Sequence, residues 1–305
     1  MPSNANQKNN DEISMIKYRA TVGPPENYDL MGAFVFNLLT FLGLRESHKL
    51  LDIGCGSLRG GRLFIIYLLT GNYYGIEPQQ WLIDDGINNE LSKQLVENKQ
   101  PHFSNDDNFN LSLFNEQFDY ILAQSIFSHA SESQIRKSMR EAKKVMKPES
   151  VFVATFFIGE ENYEGDEWVY PGRTTYTMEK MTQMIEEEGL ICKKTNWPHP
   201  HGQTWIAVLM KSAPGNVLKA VDGIFGGTNQ LLDNTGKWLK EKNMKIQNEN
   251  QKLKKENSQL QNMLKNSKLN ITKQNTLLAK FFSMSYSISS RICDVLSFKK
   301  KNNKS

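Results

Sequence analysis

Between Asp29 and Lys211 short apolar, strand-like runs alternate with helix-like stretches. The strand-like runs are 49–53 (KLLDI), 73–76 (YYGI), 119–123 (DYILA), 151–157 (VFVATFF) and 204–210 (TWIAVLM). Helices are expected over 31–42, 60–69, 80–98, 132–145 and 177–188. Strand-then-helix alternation at this spacing predicts an α/β fold around a mainly parallel sheet, spanning residues 29–212. Residues 1–28 are polar and are expected to form a flexible N-terminal arm.

The pattern changes after Pro214, the last of ten prolines. Leu232, Leu239, Ile246, Leu253 and Leu260 recur every seven residues. With these at d, Asn243, Asn250 and Asn257 fall at a, followed by Leu264 and Ile271. Residues 230–280 are therefore expected to form a coiled coil that self-associates, after a linker at 213–229. The alternative is a single amphipathic helix lying on its own domain. Residues 281–305 mix Phe281, Phe282, Ile288 and Ile292 with the lysine run 299–301. They read either as an amphipathic basic tail touching a membrane surface or as a solvated end to the coiled coil.

Charge sharpens this division. From residue 213 onward there are 17 Lys+Arg against 6 Asp+Glu, whereas residues 1–212 carry 20 against 27. The whole chain has 305 residues, 39% of them hydrophobic, enough to build a substantial core. Its longest apolar runs, 32–44 and 63–69, fall short of the ~18 residues a membrane span needs. No secretory signal is visible at the N-terminus. Cys55, Cys192 and Cys293 lie far apart with no Cys-x-x-Cys, so neither disulfides nor a metal site is expected, and a cytoplasmic location fits.

The chemistry gathers at "LLDIGCGSLRGGRL" (50–63). A strand ends, the chain turns at Gly54 and Gly56, and a helix begins near Gly60. Glycines here admit a tight turn and let a ligand approach backbone amides at the helix start. Glu77 ends the next strand 21 residues after Gly56, where an acidic side chain can accept ribose hydroxyls. The ligand is thus expected to be an adenosine-type cofactor. A dinucleotide fold wants a third glycine at position 59, which is Arg59. Asp52 beside the glycines would repel a pyrophosphate and suits a cationic ligand. S-Adenosylmethionine, with ammonium and sulfonium charges, answers both points.

At these residues the chain resembles the class I S-adenosylmethionine-dependent methyltransferases. "LLDIGCG" is similar to their first motif, "YYGIEP" to their second, and "FSNDDNF" (103–109) to the adenine-contacting loop. "FDYILAQSIFSHA" (118–130) resembles the fourth strand with its active-site loop, and "KPESVFVATFF" the fifth strand. Leu58 departs from the pattern, since many members have a glycine there. The resemblance covers about residues 29–211 and implies a Rossmann-like seven-stranded sheet with helices on both faces. It implies that Gly54, Cys55 and Gly56 offer backbone to the methionine and ribose portions of the cofactor, with Asp52 orienting the glycine loop or the amino group. Glu77 would accept both ribose hydroxyls. Asp107, or else Asp106, would accept from the adenine amine with Asn108 nearby; Gln124 and Ser125 would lie beside the methyl group. For Asp107 the alternative is a turn former in an Asn/Asp-rich loop.

Methyl transfer from a sulfonium is an in-line displacement that depends on placing the nucleophile and needs no metal. For a hydroxyl acceptor His129 is the candidate base, with His199 and His201 as alternatives. Each could instead be a packing or loop residue. "WVYPGRTTYT" (168–177) is expected in the acceptor pocket or a lid, and Tyr18 and Tyr28 could cover the cofactor. "AQSIFS" lacks the Asn/Asp-Pro-Pro-aromatic motif of exocyclic amino-base methyltransferases, and the acidic catalytic portion suits nucleic acid poorly. A small molecule, sugar or lipid-linked glycan remains as acceptor. The other readings are a non-catalytic scaffold recruiting partners through its coiled coil and, disfavoured by Arg59, a nicotinamide-dependent dehydrogenase.

Overall fold

The computed structural model describes residues 17–226, 241–265 and a few positions between 274 and 284. The chain divides into two units, Met1–Asn234 and Thr235–Ser305.

The first unit is built on the strands β1 (Leu50–Ile53), β2 (Tyr73–Ile76), β3 (His102–Ser104), β4 (Phe118–Ala123), β5 (Met146–Ile158), β6 (Thr175–Tyr176), β7 (Leu190–Lys194) and β8 (Thr204–Met210). Seven of them follow the order β3-β2-β1-β4-β5-β8-β7, and the two-residue β6 pairs with the end of β5. Neighbours are parallel except β8, which runs antiparallel to both β5 and β7. The helices are α1 (Tyr28–Phe41), α2 (Gly61–Tyr67), α3 (Gln80–Glu90), α4 (Lys93–Lys99), α5 (Glu132–Val145), α6 (Met178–Glu187) and α7 (Gly215–Gly226).

Successive strand residues feed opposite cores. Leu50 and Leu122 pack with Val35, Leu38 and Phe64 of α1 and α2, whereas Leu51 and Ile121 pack with Ile135, Met139 and Met184 of α5 and α6. A strand covered on both faces reads as an unbroken apolar run, which is why the central strands stood out. The seven-stranded sheet expected from the sequence is present. β3 and β7, which the apolar pattern missed, are its two edges. β3 has no buried residue and β7 ends in two lysines, so neither shows a continuous run.

Three expected segments are corrected. The helix expected over 80–98 is two helices, because Ser92 is extended and its Oγ accepts from the Leu95 amide at 3.2 Å, starting α4 afresh. The linker expected over 213–229 contains α7, whose Val217, Leu218 and Val221 pack on the α1–α2 core. Residues 17–28 of the expected flexible arm are ordered. Tyr18 and Tyr28 are fully buried edge-to-face, with ring centroids 6.0 Å apart. Arg19 and Arg62 both pair with Glu90 and Asp29, and their guanidinium groups lie 4.4 and 5.1 Å from the Tyr28 ring centre. Residues 1–16 of the arm lie outside the described residues.

In the second unit residues 241–265 are helical and every side chain is exposed. Ile246, Leu253, Leu260 and Leu264 among them are 47–63% exposed. The heptad positions Leu232, Leu239 and Ile271, and nearly all of 281–305, lie outside the described residues. Among the described residues no helix is long and apolar enough to cross a membrane.

Candidate active site

The chain enters the sheet at β1, adds β2 and β3 on one side, then returns to place β4 on the other. Such a reversal opens a crevice beyond the carboxyl ends of the strands. A cavity of about 840 Å³ lies there. Asp52, Gly54, Cys55, Gly56, Glu77, Asp107, Gln124, Ser125 and His129 all line it, drawn from the ends of β1, β2 and β4 and the loop after β3.

Gly54 and Gly56 adopt φ of +68° and +55°, the left-handed region that favours glycine. A Cβ at Gly54 would fall 2.0 Å from Ile126 Cδ1, and one at Gly56 would fall 2.7 Å from Val22 Cγ1. The bend's amides, expected to face a ligand, are spent within the fold. Those of Gly54 and Cys55 both donate to the Ile76 carbonyl, at 2.8 and 3.0 Å, and that of Gly56 donates to Glu77 Oε2 at 3.1 Å. The following helix does not begin until Gly61. The bend therefore supplies a floor stripped of side chains, and the polar grip comes from the carboxylates around it.

Glu77 Oε1 accepts from the Gln79 amide at 3.0 Å while Oε2 takes Gly56. Both oxygens are thereby aimed, and each keeps a second lone pair. Burial pushes the Glu77 carboxyl above its usual range, and the two backbone donors oppose that. Asp52 is buried deeper at the end of β1. Burial pushes its carboxyl up to about 7, against the pull of the Tyr73 hydroxyl, which donates to Oδ2 at 2.8 Å.

In the loop after β3, Asp106 Oδ2 accepts from the amides of Asn108 and Asn110, at 3.0 and 2.8 Å, so Asp106 shapes the loop. Asp107 keeps its place on the cavity wall. Asn108, expected beside it, does not line the cavity; its side-chain oxygen accepts from Lys137 Nζ on α5. Gln124 Nε2 is buried with no hydrogen-bond partner among the described residues. Ser125, at φ +60°, donates its amide to Thr155 Oγ1 at 2.7 Å and accepts from Gln203 Nε2 at 3.0 Å.

His129 is fixed by two carbonyls. Its Nδ1 lies 2.6 Å from the Gly172 oxygen and 3.3 Å from that of Val169. Carbonyls only accept, so Nδ1 is the donor here and Nε2 is the ring nitrogen left free of them. Trp168 and Tyr170 stand beside the ring, 5.6 and 5.2 Å centroid to centroid, and also line the cavity. Tyr170 donates to the Thr21 carbonyl at 2.5 Å, joining the 168–177 segment to the N-terminal one. Tyr18 and Tyr28 do not line the cavity; Tyr28 donates to the Ser57 carbonyl at 2.6 Å and so anchors the glycine bend from behind. His199 Nδ1 accepts from the His201 amide at 3.2 Å, and burial holds this ring neutral by drawing its pKa down to about 3. Of that pair His201 lines the cavity and His199 does not. Gln203 and the 20–24 segment, which sequence reasoning did not single out, also form its wall.

A family model described as a methyltransferase domain matches residues 51–152, the stretch from β1 to the middle of β5 that contains most of these groups. Several solved structures are similar in fold. A S-adenosylmethionine-dependent methyltransferase from Clostridium acetobutylicum is 15% identical, with 67% of this chain and 98% of that one covered and a TM-score of 0.47. The magnesium protoporphyrin IX methyltransferase of Synechocystis, with bound S-adenosylmethionine, is 11% identical over 64% and 89% of the chains, at 0.48. DesVI of Streptomyces venezuelae is 12% identical over 69% and 99%, at 0.46. No curated protein matches the sequence. Residues 51–152, a third of the chain, thus match a methyltransferase domain.

Proposed function

We propose that this domain methylates a hydroxyl of a small molecule, a sugar or a lipid-linked glycan. The cavity's own groups fit S-adenosylmethionine. A buried carboxylate at Asp52 meets a cationic end, and Glu77 is aimed to accept vicinal hydroxyls. Gln124 Nε2 is an orphan donor on the wall, and the glycine floor has no room for a Cβ. Asp107, on the cavity wall, is the acceptor we assign to the exocyclic amine. When bound, the cofactor supplies a methyl group on a positively charged sulfur, a leaving group that is already activated.

The observation that carries the reading is the pair of backbone carbonyls at His129 Nδ1. They occupy Nδ1, so Nε2 is a base of fixed orientation in a wall that also bears Trp168 and Tyr170. His129 Nε2 takes the proton as an acceptor hydroxyl attacks. Trp168 and Tyr170, 42% and 48% exposed, give a ring-shaped acceptor a surface to lie on. Labelled cofactor offered with a panel of glycans and hydroxylated metabolites tests this. His129→Gln is expected to bind S-adenosylmethionine within about twofold of the parent while turnover falls roughly 10²- to 10⁴-fold. Unchanged turnover would remove the base from the reading.

The exposed helix of the second unit is read as a parallel, in-register dimer seam. Pairing a with a′ lets Asn243, Asn250 and Asn257 bond their own counterparts, whereas an antiparallel seam would set each amide against leucine or isoleucine. The g position Glu249 then meets the e′ position Lys254 of the second copy, once on each side. Light scattering is expected to give a dimer for the full chain and a monomer for a chain ending near residue 230, after α7. A monomeric full chain would refute the seam.

A further inference from the structure

Arg59 has no counterpart to the carboxylates that hold the half-buried arginines. Arg19 and Arg62 each pair with Glu90 and Asp29, and Arg136 pairs with Glu132 and Glu187. Arg59 is only 9% exposed, and among the described residues its hydrogen bond is a single one, Nη1 to the Val22 carbonyl at 2.7 Å. Unpaired burial draws its pKa down to about 10. A guanidinium taken out of water without an anion destabilises the fold.

This cation is also held in place and faces the cavity. Leu58 before it is fully buried with φ +61°, and Gly60 follows it. Its carbonyl lies under α1, where a Cβ on Gly32 would come within 2.4 Å. Its side chain lines the same cavity as Asp52, and its charge acts on Asp52 without the two forming an ion pair. His201 Nε2 and Gln203 Oε1, both from the loop before β8, are buried and unpartnered among the described residues, and both residues line that cavity. Asp52 and Arg59 thus stand apart in one pocket, neither in an ion pair, with Glu77, Asp106, Asp107 and Arg173 also on its wall.

We propose that Asp52 and Arg59 form a split receptor for an α-amino acid terminus, with Arg59 binding the carboxylate at the methionine end of S-adenosylmethionine. The inference rests on the reading that this cavity holds that cofactor. Asp52 takes the ammonium and Arg59 the carboxylate, so the ligand brings each of them a charged partner. A guanidinium fork presents donors matched to the two carboxylate oxygens.

Calorimetry on the full chain separates this from its alternatives, using S-adenosylmethionine, its decarboxylated analogue and 5′-methylthioadenosine, which lacks the amino acid terminus. Arg59→Met is expected to weaken S-adenosylmethionine about ten- to a hundredfold. The other two ligands should bind parent and variant within about twofold, and Arg59→Lys should fall between. The melting temperature of unliganded Arg59→Met should match or exceed the parent's, because the variant removes an unpaired buried charge. Equal affinity of parent and variant for S-adenosylmethionine would overturn the carboxylate assignment while leaving the cofactor reading intact. Equal weakening of all three ligands, or a lower melting temperature, would make Arg59 a structural residue. A parent that binds neither S-adenosylmethionine nor 5′-methylthioadenosine would bring down the cofactor reading and the receptor together.

Discussion

Glu77→Ala is expected to weaken S-adenosylmethionine binding about a hundredfold or more, and Glu77→Gln to come close to it. Each ribose hydroxyl given to a carboxylate contributes about 1.5–3 kcal/mol, and two of them multiply. The glutamine variant is informative because both Glu77 oxygens already accept a backbone N–H, from Gln79 and from Gly56. An amide has one oxygen, so its NH₂ must face one of those two donors and push it away. The bend at Gly56 then loses the bond that ties it to the end of β2. A change that would be mild for a carboxylate free in solvent is severe here. Calorimetry on both variants, with melting curves alongside, checks this; a glutamine variant binding within threefold of the parent would show that the inward bonds do not matter.

The same bond explains what could and could not be read from the sequence. The glycines and Glu77 were legible because the motif is local: a turn that excludes Cβ atoms and an acid at the next strand end can be counted off the chain. The direction of the bend's amides was not, since it depends on the Ile76 carbonyl, contributed by a neighbouring strand. Arg62 was opaque for a similar reason. Its partners Glu90 and Asp29 come from α3 and α1, and no spacing rule links them. Leu58 shows the reverse case. The resemblance led to the expectation of glycine there, and the structure keeps the left-handed backbone that glycine would favour, with the leucine side chain fully buried. Central strands were found because they are covered on both faces. The edge strands β3 and β7 were not, because nothing in a half-covered strand demands an unbroken apolar run.

Cofactor affinity is expected to rise roughly tenfold between pH 6 and pH 7.5 and to owe that rise to Asp52. Its carboxyl sits at about 7 in the unliganded domain because burial raises it, the Tyr73 hydroxyl and the Arg59 charge lower it, and Glu77 raises it again. A cationic ligand prefers the ionised form, so at pH 6 binding must first expel a proton, whereas near pH 7.5 most of the carboxyl is already charged. The window closes there because the ligand's own α-amino group begins to titrate near 7.7–8.0. 5′-Methylthioadenosine, which has no cation, is expected to bind evenly across the range, and Asp52→Asn to bind S-adenosylmethionine at least tenfold more weakly at pH 7.5 with no slope. Stability should run the other way. The folded carboxyl holds its proton more firmly than the unfolded one, whose ordinary value is 3.8, so its contribution is complete below that value and is lost as pH rises towards 7. Unliganded Asp52→Asn should therefore match the parent near pH 4 and be more stable at pH 8, by on the order of a few kcal/mol. A domain that melts higher without Asp52 yet binds its cofactor worse would show that the carboxylate is retained for the ligand and at the expense of the fold. If the affinity stays level from pH 6 to 7.5, Asp52 does not meet the cation.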